Sequence, residues 1–217
     1  MRPYPVPAAE LRREFTVSNS RFISTLAPAF SVDAAKAFIQ RIKAEFPDAS
    51  HNVPLYIIGH GDSEVAHCSD AGEPSGTAGR PALAVLRGCG LGDVAVVVTR
   101  YFGGTKLGTG GLVRAYSEAV RLVVEAVPRA EKVLTNTIML VIGYTYLERV
   151  RLLVTTLEGK VLDEDFTADV TLTARLRVEK LTAFQSSLSE LTNGKVQAEV
   201  IETNEVLMPL PPNNPAT

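Results

Sequence analysis

Along this chain the spacing of apolar positions changes character near Pro128. Before it, Ser20 to Leu26 reads as a strand. Val32, Ala35, Phe38, Ile39, Ile42 and Phe46 then recur at helical spacing, with Ser31 placed to cap the first turn and Pro47 beyond the last. Val53 to Ile58 and Glu64 to Cys68 read as the two strands of a hairpin turning at His60-Gly-Asp62. Pro81 starts a short helix ending around Gly88. Val94-Ala-Val-Val-Val98 is an apolar run rich in β-branched residues, which marks a buried strand running on to Arg100. Leu112, Val113, Tyr116, Ala119, Val120, Val123 and Val124 return to helical spacing, so a long helix is predicted from Gly110 or Gly111 to Val127.

Beyond Pro128 the order is regular. Lys132 to Ile142 alternates as a strand. Leu147, Val150, Val154 and Leu157 make a helix closed by Gly159 at C′. Lys160 to Phe166 and Val170 to Val178 are strands, the latter strictly period two, and Phe184, Leu188 and Leu191 make a helix stopped by Asn193-Gly194. Val196 to Thr203 is the last strand. The sequence βαββαβ is that of a ferredoxin-like domain. The expected organisation is therefore an N-terminal domain over residues 1–128, a ferredoxin-like domain over 129–204, and a proline-rich, disordered tail over 205–217.

Candidate chemistry lies in the first half. Thirteen of the 16 glycines fall between Gly59 and Gly111, concentrated in Ser69-Asp-Ala-Gly-Glu-Pro-Ser-Gly-Thr-Ala-Gly-Arg-Pro81 and in Thr99-Arg-Tyr-Phe-Gly-Gly-Thr-Lys-Leu-Gly-Thr-Gly-Gly-Leu-Val-Arg114. Glycine is costly unless a backbone must turn with positive φ or approach something closely. The second stretch joins a strand to a helix start and carries Arg100, Lys106 and Arg114 with no acid from Val94 to Ser117. Free backbone N–H groups at a helix N-terminus favour anions, so the candidate nucleic-acid or phosphate site is Arg100, Tyr101, Gly103, Gly104, Lys106, Gly108, Thr109, Gly110, Gly111 and Arg114. Asp70, Glu73, Ser75, Gly76, Thr77, Gly79 and Arg80 form the second glycine loop. Neither loop has the P-loop or the Gly-x-Gly-x-x-Gly spacing. A purely structural role stands beside the anion reading: tight packing for the glycines, turn caps or pairing with Arg80 or Arg100 for Asp70 and Glu73, and an i,i+4 pair with Glu118 for Arg114.

The same residues carry a resemblance. Arg100-Tyr-Phe-Gly-Gly-x-x-Leu-Gly-Thr-Gly-Gly-Leu-Val-Arg114, preceded by the Ser69 to Pro81 motif, with Ser20-Arg-Phe-Ile23 and His51-Asn52, resembles the signature of the IMPACT family in its two-domain bacterial branch. Ala71 departs from the pattern, which has a second acid after Asp70. The resemblance implies an α+β protein whose first domain is like the second domain of a small-subunit ribosomal protein and whose second is ferredoxin-like, a pair similar to the last two domains of elongation factor G. It also implies a role linked to translation, since eukaryotic relatives restrain the kinase pathway that senses uncharged tRNA.

Composition changes this picture little. The chain has 217 residues, 46% of them hydrophobic, and a net charge of −2, so no global field recruits nucleic acid and any basic site is local. No apolar run is long enough to span a bilayer and no signal-peptide core is present, which points to a cytoplasmic address without a membrane partner. Cys68 and Cys89 are expected to be free thiols. Ser75, His51 and Asp70 supply the residue types of a triad, but Gly72-Glu-Pro-Ser-Gly76 is not a nucleophile elbow. The reading is a non-enzymatic, translation-linked protein that binds RNA or the ribosome through its glycine loops, with no cofactor, no metal and no catalytic residue. The alternatives are a phosphate-ester or nucleotide-dependent enzyme, with Asp70 and Glu73 holding magnesium, and a module binding a translation-related protein. Of Tyr101 and Phe102, strand alternation leaves at most one exposed to stack on a base.

Overall fold

A computed structural model describes residues 4–210 and divides the chain into two compact units, one running to Glu131 and taking in the chain from Met208, the other spanning Lys132–Leu207. The division falls just past Pro128. The protein is α+β, with antiparallel sheets in both units.

In the first unit the strands are β1 (Pro5–Pro7), β2 (Leu11–Val17), β3 (Ser20–Pro28), β4 (His51–Ile58), β5 (Val65–Cys68) and β6 (Val94–Tyr101), and the helices are α1 (Val32–Glu45), α2 (Gly79–Gly88) and α3 (Gly108–Ala126). The main sheet has the order β2-β3-β6-β4-β5, which puts β6 at its centre. Its unbroken run of apolar residues follows from cover on both faces. Val94, Val96 and Val98 pack with residues of α2 and α3, while Ala95 and Val97 pack with Ala35, Phe38 and Ile42 of α1. The Ser31 side chain caps α1 by accepting from Ala34 N at 3.1 Å.

Two elements here were not legible. β2 carries Arg12, Arg13 and Glu14 because it is an edge strand, and charge on an edge discourages pairing with other chains. Its turn into β3 places Ser18 and Asn19 at φ 45° and 63°, the positive φ pair of a tight hairpin. β1 pairs with residues Arg129–Glu131, the start of strand β7 (Arg129–Ile142).

The second unit continues β7 into α4 (Leu147–Thr156), β8 (Lys160–Phe166), β9 (Val170–Arg177), α5 (Leu181–Thr192) and β10 (Glu199–Pro209). The order β10-β7-β9-β8 is the split arrangement of a ferredoxin-like fold. Ile138, Leu140 and Ile142 of β7 and Val170, Leu172 and Leu176 of β9 alternate onto a core shared with Val150, Val154, Phe184 and Leu188.

Several boundaries differ from the sequence reading: α2 starts at Gly79 rather than Pro81 and β7 at Arg129 rather than Lys132, among others. β10 starts at Glu199 and takes in Glu205–Pro209, assigned above to a disordered tail; residues 211–217 lie outside the described residues. α4 ends in a Schellman turn whose left-handed residue is Glu158 (φ 59°), while Gly159 donates to Val154 O at 2.8 Å one position later. Gly159 also packs closely, since a Cβ there would lie 2.9 Å from the backbone oxygen of Arg175. α3 begins at Gly108, two or three residues before the expected start, because Thr109-Gly110-Gly111 form its first turn.

Candidate functional site

At one end of the main sheet, pairing sets three residues in a row: His51 of β4 opposite Arg100 of β6, and Arg100 opposite Phe22 of β3. Period two puts them on the face of Val98 and Val96, beneath α3. An arginine in this phase is buried by the strand pattern itself. Arg100 is 5% exposed, and its Nη1 donates to Glu73 Oε1 at 2.6 Å in an ion pair whose carboxylate is 3% exposed. Tyr116 from α3 donates to the same oxygen at 2.7 Å, and burial, reinforced by that bond, pushes the phenol well above its ordinary pKa. Arg100 Nη2 reaches Ser20 Oγ at 3.4 Å, the guanidinium lies over the rings of Phe22 and Phe102, and Nε is buried without a hydrogen-bond partner. His51 Nδ1 donates to Ala71 O at 3.0 Å, and Nε2 stands 3.8 Å from Glu73 Oε2.

The second glycine loop is an internally satisfied turn. Asp70 Oδ2 accepts from Gly76 N at 2.8 Å, and Oδ1 accepts from Ala78 N at 3.1 Å and Gly79 N at 2.8 Å. Partial burial raises the Asp70 carboxyl, but the three N–H donors outweigh it and hold its pKa below the usual carboxylate range. The anion at the start of α2 is thus a side chain of the protein. Thr77 Oγ1 donates to Pro74 O at 2.7 Å, Gly76 needs its positive φ (76°), and Gly79 lies against the Ser69 backbone, which a Cβ would meet at 2.9 Å. Ser75 and Arg80 are exposed. Ser75, His51 and Asp70 are not hydrogen-bonded to one another. Asp70 and Glu73 are both engaged by protein donors, and among the described residues no group of three or more His, Cys, Asp or Glu side chains could hold a metal. Burial pushes the Cys68 and Cys89 thiols up, which keeps them protonated at neutral pH.

The loop from Tyr101 to Gly111 is different. Gly103 packs onto the β2–β3 turn so closely that a Cβ would lie 2.0 Å from the Asn19 carbonyl carbon, while Gly104 and Gly108 hold φ of 85° and 69°. The chain leaves the sheet after Tyr101, so alternation no longer buries one aromatic. Phe102 is 49% exposed, and the half-buried Tyr101 donates its hydroxyl to Asp48 at 2.9 Å. No side chain caps α3, whose first turn of Gly108, Thr109, Gly110 and Gly111 holds no acid. Beside it a cavity of about 380 Å³ is lined by His51, Glu73, Arg100, Phe102, Lys106 and Thr109, among others. Lys106 and Arg114 are exposed and have no ion-pair partner among the described residues; Glu118, the expected partner of Arg114, is held by Arg121 at 2.6 Å.

The geometry therefore gathers the second loop and the basic loop around one cavity but gives their cations different roles. Arg100 is a buried counter-ion for Glu73, contrary to its expected place among the phosphate contacts, and Lys106 is exposed and lines the same cavity. Phe22 and Tyr116 were absent from the expected set, although the shared phase of Arg100 with Val98 and Val96 signals an inward side chain.

A glycine-loop α+β unit followed by a ferredoxin-like unit defines a two-domain class. Residues 18–124 match the Impact N-terminal domain and residues 140–195 a domain of unknown function, DUF1949. The chain belongs to the IMPACT family. It is 37% identical over 203 residues to the IMPACT family member YigZ of Escherichia coli, covering 93% of this chain and all of that one, and 36% identical over 182 residues to the family member YvyE of Bacillus subtilis, covering 84% and 83%. A solved structure described as a hypothetical protein aligns with a TM-score of 0.61 at 37% identity, over 93% of this chain and 98% of that chain. Among the described residues no helix is long and apolar enough to cross a membrane.

Proposed function

We propose that this chain is a non-catalytic, translation-linked protein that binds RNA, alone or within the ribosome, at the cavity beside the Tyr101–Gly111 loop. One observation carries the reading. An unpaired cation, Lys106, and a half-exposed aromatic ring, Phe102, flank a cavity at an uncapped helix start that has no acid in its first turn. Glu73 lines the cavity too, but Arg100 neutralises it. Lys106 and the free N–H groups of α3 take a phosphate, and Phe102 stacks on an unpaired base. The link to translation rests on membership of the IMPACT family.

Binding of single-stranded RNA, followed by fluorescence anisotropy across a salt series, tests this, with ribosome co-sedimentation beside it. Lys106→Ala should flatten the slope of log K against log salt by about 0.7. Phe102→Ala should leave the slope alone and cost about 1–3 kcal/mol. Unchanged binding in both folded variants would remove the cavity from the account.

A phosphate-ester enzyme is the second reading, because His51 Nε2 and Glu73 Oε2 stand 3.8 Å apart on the wall of the same cavity. Hydrolysis of phosphate esters by the purified protein, lost in His51→Gln, would favour it.

A further inference from the structure

The cavity beside His51 does not end at Lys106. A second cavity, of about 650 Å³, opens on the other side of the same loop between β2 and α3, and Lys106 and Leu107 line both. Its apolar lining includes Phe15, Val17, Leu107 and Val113, and its α3 wall carries Arg114 and, one turn on, Glu118. The acid of this groove, Glu118, shares Arg121 with Glu125. Two apolar clefts thus meet across one free lysine, and a second free cation lies further along α3.

Resting on the RNA reading above, we propose that the two clefts form one track for a single-stranded nucleic acid, which crosses the loop at Lys106 and runs along α3 to Arg114. Six residues separate Gly108 from Arg114, about 9 Å of helix rise. At about 3.4 Å per stacked nucleotide, that distance spans two to three phosphates. A strand filling the His51 cleft therefore reaches Arg114 only when it is several nucleotides long. A duplex cannot follow this path, because its bases are stacked inside while the clefts offer apolar surface to unpaired ones. Charge argues for a polyanion over a peptide: the track's unpaired side-chain charges, Lys106 and Arg114, are both positive, Glu73 is paired with Arg100, and Glu118 shares Arg121 with Glu125.

Length dependence tests the track. Fluorescently labelled adenosine oligoribonucleotides of two and eight residues are titrated into the full-length protein and into its Lys106→Ala and Arg114→Ala variants. The octamer should bind wild type at least about tenfold tighter than the dimer. Arg114→Ala should reduce that ratio several-fold and lower the octamer's salt slope by about 0.7, while Lys106→Ala weakens both probes. Equal affinity for the two lengths, or an octamer-to-dimer ratio unmoved by Arg114→Ala, would overturn the track and leave RNA binding at the first cleft intact. Binding of neither probe would overturn both.

Discussion

Replacing Arg100 by Met keeps the aliphatic packing against Phe22 and removes the charge. Glu73 would then hold a carboxylate with a 3% exposed side chain and one remaining strong donor, the Tyr116 hydroxyl at 2.7 Å. Breaking a buried pair from one side costs about 3–5 kcal/mol, because an uncompensated charge stays behind. Against a total stability of about 5–15 kcal/mol this is a large fraction. At an m value near 2 kcal/mol/M, the urea midpoint of the first unit should fall by about 2 M. Glu73→Gln in the same background should restore much of the loss, since an amide can accept from Tyr116 without bringing a charge. The assay is urea denaturation of the two single variants and the double variant, followed by circular dichroism. Additivity of the two substitutions within about 0.5 kcal/mol would refute the argument, because it would mean that the two side chains do not depend on each other.

Other outcomes follow from the same geometry. Asp70→Ala should cost about 1–2 kcal/mol in chemical denaturation by leaving Gly76, Ala78 and Gly79 N–H groups unsatisfied. Because the folded Asp70 carboxyl titrates below its ordinary value, its stabilisation is complete above about pH 4 and disappears as pH falls through the folded value, so wild type and variant should converge in acid. Gly103→Ala should destabilise the protein in thermal melts and displace the β2–β3 turn, given the 2.0 Å approach to Asn19; an unchanged melting temperature would contradict the close packing. A fragment of residues 129–209 should melt cooperatively by itself, and non-cooperative melting would count against an independent ferredoxin-like unit.

The long elements were legible because their periodicity reports burial directly: α1 and α3 each bury one stripe, β9 alternates strictly, and β6 does not alternate because both its faces are covered. Elements whose reason is not burial were hidden. β2 reads as polar because it is an edge, and β10 continues through Glu205 and Pro209, where polar and proline residues mimic a tail. In the site, the two glycine stretches were found from their cost to the chain, and the phase of Arg100 with Val96 and Val98 marks it as inward, yet its partner was not legible. Arg100 and Lys106 are equally basic on paper. The fold brings Arg100, under α3, to Glu73, 27 positions earlier, and leaves Lys106 exposed. At the end of α4, Glu158 and not Gly159 takes the left-handed position, and Gly159 follows it against the backbone of Arg175.

Photo-crosslinking of a 4-thiouridine-containing single-stranded RNA to the full-length protein, with the attached peptides identified by mass spectrometry, tests the central claim most directly. Crosslinks should concentrate on Phe102 and the loop from Gly103 to Arg114, and Lys106→Ala should weaken them in proportion to its loss of affinity. Crosslinks confined to other surfaces of the protein, or none at concentrations where RNA is bound, would contradict the assignment of this cavity as the RNA site.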